Sequence, residues 1–140
     1  MSSERSVLLL GTTGNLGLRL IPALLSHNHT VIAFVRNPPK LKSLLKPELL
    51  SQITIVEGDA TDTPAIHRAI MEHDCTALIC TAGMVVLNPW GKATLPGISE
   101  AAADAAILAA KQRGGRALRC WFLGGMSLLD YPGSTYFLAD

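Results

Sequence analysis

An excess of charge of either sign is missing from this sequence. Its 12 Lys and Arg stand against 11 Asp and Glu, a formal net charge of +1 with the signs interspersed. That balance argues against nucleic acid or an anionic membrane surface as a partner. Long hydrophobic runs are missing too. Nothing approaches the roughly 18 uninterrupted apolar residues of a membrane helix, so no membrane is expected among the partners. Cysteine is sparse: Cys75, Cys80 and Cys120 are odd in number, lack C-x-x-C spacing and lie in or beside apolar runs. This excludes a disulfide framework or a clustered metal site and points to buried, reduced thiols in a cytoplasmic protein. The opening residues Met1–Ser6 are polar and include Glu4, unlike the basic start of a signal peptide. Internal repeats and low-complexity linkers are absent, and 140 residues suffice for one domain with a real core.

Apolar residues, by contrast, make up 49% of the chain, and the mean hydropathy is +0.31. Strands buried on both faces of a parallel sheet account for such values. Five apolar runs alternate with helical patterns. Strands are expected at Ser6–Leu10, Thr30–Val35, Gln52–Val56, Thr76–Thr81 and Arg119–Leu123. Helices are expected over Leu16–Leu25, from Pro38 to Leu45, over Thr63–Glu72 and over Ser99–Arg113, with a long loop at Ala82–Gly97. Pro22 should kink the first helix. Ala102, Ala105, Ala106 and Ala109 recur at i, i+3, i+4 and i+7, a smooth stripe that lets the last helix lie close to a sheet. Alternation with crossovers of this length calls for an α/β, Rossmann-type doubly wound parallel sheet, five strands in the order 3-2-1-4-5, with helices on both faces. The chain reverses direction between strands 1 and 4, and ligands of open α/β sheets bind in the crevice outside that point.

Chemistry gathers at the carboxyl ends of these strands. The first strand runs into Gly11-Thr12-Thr13-Gly14-Asn15-Leu16-Gly17, a glycine triplet spaced G-x-x-G-x-x-G between strand and helix. Gly11 lets the chain leave the strand, Gly14 lets a diphosphate approach the backbone, and Gly17 lets the helix pack closely on the sheet. Backbone N–H groups, helped by the threonine hydroxyls, would bind the diphosphate at the positive end of the helix dipole. At the end of the second strand stands Arg36, with Lys40 nearby, where an NAD-binding chain carries an acid. A guanidinium there can pair with a 2′-phosphate and stack on adenine, which favours NADP over NAD. Asp59, followed by Ala60, either accepts from the adenine amino group or, like Asp62, begins the next helix. Thr81, Ala82 and Gly83 are small enough to let ribose and nicotinamide lie against the backbone. Val85, Val86, Trp90 and Lys92 would form a substrate wall. After the fifth strand, Ser127 or Tyr131 is placed to donate to a substrate carbonyl. His27-Asn28-His29 reads as a turn at the far end of the sheet, and His67 and His73 as solvent-facing.

Together these motifs resemble the atypical short-chain dehydrogenase/reductase group, in its NAD(P)H-binding, NmrA-like and biliverdin reductase B-like branch. The glycine turn looks like that group's G-A-T-G-x-x-G. Val35-Arg36-Asn37-Pro38 with Lys40-Leu41 is similar to its V-R-x-P-x-K-L, Gly58-Asp59 to its G-D, and Gly124-Gly125-Met126-Ser127-Leu128 to its G-G-A-G-S-L. The resemblance implies an NADP(H)-binding reductase acting on a small carbonyl, quinone or flavin-like acceptor. Its alternative is a non-catalytic, NmrA-like module that senses dinucleotide redox state. Short-chain dehydrogenases use a Tyr-x-x-x-Lys pair, whereas Thr135 follows Tyr131 and Asp140 follows Tyr136 at that spacing. Ser127 and Tyr131 remain the candidate catalytic residues. Relatives continue with further strands, so the chain is expected to be a cofactor domain short at its C-terminus. Its fifth strand would then be an open edge suited to a homodimer.

Overall fold

The structure, a computed structural model, describes residues 5–81, 95–116 and 118–123. In chain order the elements are β1 (Ser6–Leu10), α1 (Asn15–Ser26), β2 (Thr30–Val35), α2 (Pro38–Leu44), α3 (Pro47–Leu50), β3 (Thr54–Glu57), α4 (Thr63–Glu72), β4 (Ala77–Cys80), α5 (Leu95–Gln112) and β5 (Arg119–Phe122). The five strands form one all-parallel sheet in the order β3-β2-β1-β4-β5, as the alternation of elements requires. No helix among the described residues is long and apolar enough to cross a membrane.

Strand alternation divides the core in two. Leu8, Leu10, Ile32, Phe34 and Leu78 point to one face and meet Ile66 and Ile70 of α4 and the alanines of α5. Leu9, Val31, Ala33 and Val35 point to the other and meet Ile21 of α1 and Leu41 of α2. Burial of each leucine of β1 contributes about 1.5–3 kcal/mol. Ala102, Ala105, Ala106 and Ala109 are all buried, so the expected smooth stripe is the face α5 turns inward. At the amino-terminal rim, the Arg113 guanidinium donates to the carbonyls of Ile70 (2.9 Å) and Cys75 and lies 3.4 Å from Asp74. It thereby ties the end of α5 to the end of α4.

Several expectations are corrected. The first helix, expected over Leu16–Leu25, spans Asn15–Ser26 and includes Pro22. Pro22 itself lies on the exposed side of the helix. A short α3 intervenes before β3. Gln52, expected in the strand, is held instead by its N–H to Leu49 O (3.0 Å) and its Nε2 to Glu48 O (2.9 Å). Helix α5 begins at Leu95, inside the expected loop, because proline is tolerated in a first turn whose N–H groups have no helical partner. Residues 82–94, with Val85, Val86, Trp90 and Lys92, lie outside the described residues. His67 is only half exposed and sits 2.9 Å from Gln112 Oε1, linking α4 to α5. His73 is likewise half-buried, and its carbonyl accepts from Ser6 Oγ.

The cysteines divide. Cys75 and Cys80 are buried as expected, but Cys120 is exposed, because all four residues of β5 are. Burial pushes the Cys75 thiol up to about 11. Iodoacetamide at mildly alkaline pH should therefore label Cys120 in the native protein and spare Cys75, with both reacting in denaturant. Mass spectrometry of the alkylated peptides checks this, and equal native labelling would contradict the packing.

Candidate functional site

The site begins where β1 stops. Gly11 adopts φ +81°, and the Gly14 N–H closes the turn on the Gly11 carbonyl at 3.1 Å. Gly14 is the N-cap of α1, with extended backbone, no capping side chain and no acid in the following turn. The first helical bond runs from Leu18 N–H to Gly14 O (2.9 Å). The N–H groups of Asn15, Leu16 and Gly17 thus have no partner among the described residues. By contrast, Asn37 caps α2 through Lys40 N–H, and Asp62 caps α4 through Ala65 N–H. The positive end of α1 is left open to an anion.

Residue 17 must be glycine for a reason other than the one expected. A Cβ there would lie 2.1 Å from the Gly11 carbonyl oxygen and 2.9 Å from Thr12 Cα. The missing side chain makes room for the turn itself rather than for the sheet. Thr81 pins the same turn from the end of β4. Its N–H donates to Leu10 O at 3.0 Å, and its hydroxyl lies 2.9 Å from Leu10 O and 3.2 Å from Gly11 O. Thr12 is buried beneath the turn, and its hydroxyl has no partner among the described residues.

A cleft of about 660 Å3 opens at the carboxyl ends of the strands, within the size range of small-molecule sites. It spreads from the glycine turn across β2 to the loop after β3. Gly11, Thr12, Thr13, Gly14, Arg36, Lys40, Asp59, Ala60 and Thr81 line it, which brings most of the expected residues to one place. Asn15, Leu16 and Gly17 are not part of the lining; only their backbone N–H groups face that end. Ala82, Gly83, Ser127 and Tyr131 lie outside the described residues.

Arg36 and Lys40 are exposed and, among the described residues, form no ion pair. Two cations therefore stand where the cleft crosses the end of β2 and the start of α2. Asp59 and Asp62, alternatives in the sequence, divide the work. Asp62 caps α4, while Asp59 Oδ1 accepts from Thr61 N–H (2.8 Å) and Thr61 Oγ1 (2.7 Å). Those two bonds hold the Asp59 carboxyl below the usual carboxylate range against the opposing effect of burial, with a lesser contribution from the charge of Arg36. It remains an ionised acceptor at neutral pH.

Phe34, Thr61 and Ile98 also line the cleft and were not anticipated. The Phe34 ring packs directly under Gly58, a contact created by β2–β3 pairing. Ile98 arrives on the early start of α5. Only Thr61 left a local signal, since Asp-x-Thr favours the side-chain turn seen here. The arrangement suits an anionic ligand: unpaired amides at the start of α1, cations where the cleft crosses the end of β2, and an ionised acceptor beyond them after β3.

A family model described as NAD(P)H-binding matches residues 11–125. An isoflavone reductase of Pisum sativum is 29% identical over 103 residues, covering 63% of this chain and 32% of that protein. The chain spans about a third of the length of the curated relatives it matches. Among solved structures, the Bordetella bronchiseptica enzyme WbmG, in complex with NAD and UDP, superposes with a TM-score of 0.66 at 20% identity, covering 99% of this chain and 43% of that one. Serine dehydrogenase from Escherichia coli gives 0.65 at 21% identity, covering 89% and 64%. At these identities the likeness is one of fold. Gly17→Ala should lower stability by about 1–3 kcal/mol, as overpacking against backbone does. A denaturation midpoint equal to the parent's would show that the turn yields more easily than its geometry implies.

Proposed function

The chain belongs to the NAD(P)H-binding family, and from that premise we propose that it binds NADP(H) in preference to NAD(H) and serves as a reductase of a small carbonyl, quinone or flavin-like acceptor. The observation that carries the cofactor preference is the placement of Arg36 and Lys40 on the cleft that starts at the bare end of α1. In this proposal the α1 amides and Gly14 hold the diphosphate, and Arg36 pairs with the 2′-phosphate while its plane covers adenine. Asp59 accepts from the adenine amino group with the oxygen that Thr61 leaves free, and Ala60 flanks the ring. Thr81, Ala82 and Gly83 flank the ribose and nicotinamide. The bound dinucleotide would supply two-electron reducing chemistry. Ser127 or Tyr131 would donate the proton, since the sequence has no Tyr-x-x-x-Lys. That same feature supports the second reading, a dinucleotide-sensing module without turnover, which NADPH consumption across a carbonyl and quinone panel separates from the first.

Self-association belongs to the proposal as well. The outer edge of β5 has no strand partner among the described residues, and Trp121, Phe122 and Leu123 are exposed beside it. A second copy pairing there would satisfy that edge.

Calorimetric titration should give tighter binding of NADPH than NADH, and Arg36→Asp should weaken NADPH by about tenfold or more while affecting NADH far less. Equal NADPH affinity in that variant would move the 2′-phosphate site elsewhere. Sedimentation velocity should detect a dimer, and a monodisperse monomer at concentrations of tens of micromolar would remove the β5 contact from the proposal.

A further inference from the structure

Asp59 is the only carboxylate among the described residues that line the cleft, and it is exposed. An exposed carboxylate ordinarily turns among several rotamers, and an acceptor free to turn selects little between ligands. This one is held. The Thr61 N–H at 2.8 Å and the Thr61 hydroxyl at 2.7 Å both end on the same oxygen, Oδ1. Donors prefer the plane of the carboxylate, so two of them on one atom fix that plane. Oδ2 then points in a set direction, with no hydrogen bond or ion pair among the described residues. Thr61 is steadied in turn from α5. A Cβ at Gly97 would lie 3.8 Å from Thr61 Cγ2, so the methyl points toward the first turn of that helix. With the methyl so placed, the hydroxyl of a β-branched side chain has one direction left, the one that meets Asp59.

We propose that Thr61 is a positioning residue for the base: by holding Asp59 through Oδ1 it presents Oδ2 as a fixed acceptor, and the cleft thereby distinguishes a 6-aminopurine from a 6-oxopurine. The inference rests on the dinucleotide reading above and assigns its base selectivity to a residue that acts through another. An amino group at C6 donates to Oδ2, whereas a 6-oxo group in its place meets the carboxylate lone pair to lone pair. The ionised carboxylate has no proton with which to relieve that clash, and the Thr61 bonds themselves favour the ionised form. Arg36 and Lys40, which line the same cleft, carry donors only and offer an amino group nothing. Selection for the amino group therefore falls to Asp59, and its sharpness to Thr61.

The probe is reduced nicotinamide hypoxanthine dinucleotide phosphate, which is NADPH with a 6-oxo group in place of the amino group. Calorimetry compares it with NADPH on the parent chain, on Thr61→Val and on Thr61→Ser. The parent should prefer NADPH by about tenfold, as a hydrogen bond to a charged group implies. Thr61→Val keeps the shape and deletes the hydroxyl, and should bring the two affinities to within about threefold, while Thr61→Ser should keep a preference of about fivefold or more. The ratio is the deciding quantity, because a loosened loop weakens both nucleotides alike. A parent-like ratio in Thr61→Val, whatever its absolute affinities, would overturn the inference and assign Thr61 to the fold of the loop. Loss of the preference in Thr61→Ser but not in Thr61→Val would overturn it by assigning the effect to the methyl. A parent that binds both nucleotides equally would overturn it too and leave the dinucleotide reading standing. A folded parent that binds neither NADPH nor NADH would overturn that reading, and the inference with it.

Discussion

Everything at the cleft depends on the approach of α1 to the turn that precedes it. With 2.1 Å separating a Gly17 Cβ position from the Gly11 carbonyl oxygen, no side chain of any size fits. Only because residue 17 lacks one can the helix begin so close to the end of β1. That closeness brings three amides to the mouth of the crevice and sets Thr12 underneath them. The central strand fixes where the turn is, since Leu8, Leu9 and Leu10 are fully buried between two layers of helices. The turn has no freedom to drift.

Helix ends are treated differently according to their place. At the starts of α2 and α4 a side chain supplies the missing acceptor, Asn37 and Asp62 respectively. At the carboxyl end of α4, Arg113 supplies donors from a neighbouring helix. The α1 amides receive nothing of the kind. Unsatisfied donors, two exposed cations and a single ionised acceptor along one crevice form a charge pattern with little meaning for stability. They match an anionic ligand.

Local signals were legible in the sequence and tertiary ones were not. The strand–glycine turn–helix unit could be read because its parts are contiguous and each has a mechanical role. Strand order followed from alternation together with right-handed crossovers. The start of α5 was hidden because Pro96-Gly97 resembles a break, although a first turn tolerates proline. Gln52 was drawn out of β3 by bonds to a four-residue helix that no periodicity announces. Phe34 and Ile98 reach the cleft only through sheet pairing and helix docking. The burial of Thr12 likewise exists only once the helix has closed over the turn, and the exposure of Cys120 reflects the position of β5 at the edge.

The bond from the Thr81 hydroxyl to Leu10 spans 71 residues and has a consequence for synthesis on the ribosome. The glycine turn can close on itself as soon as Gly14 has emerged, since its own N–H bond is local. Its lock arrives only after β4 has left the exit tunnel and found its place beside β1. The nascent chain therefore carries an unfinished turn until β4 has emerged, and competence for ligand waits on a pairing distant in sequence.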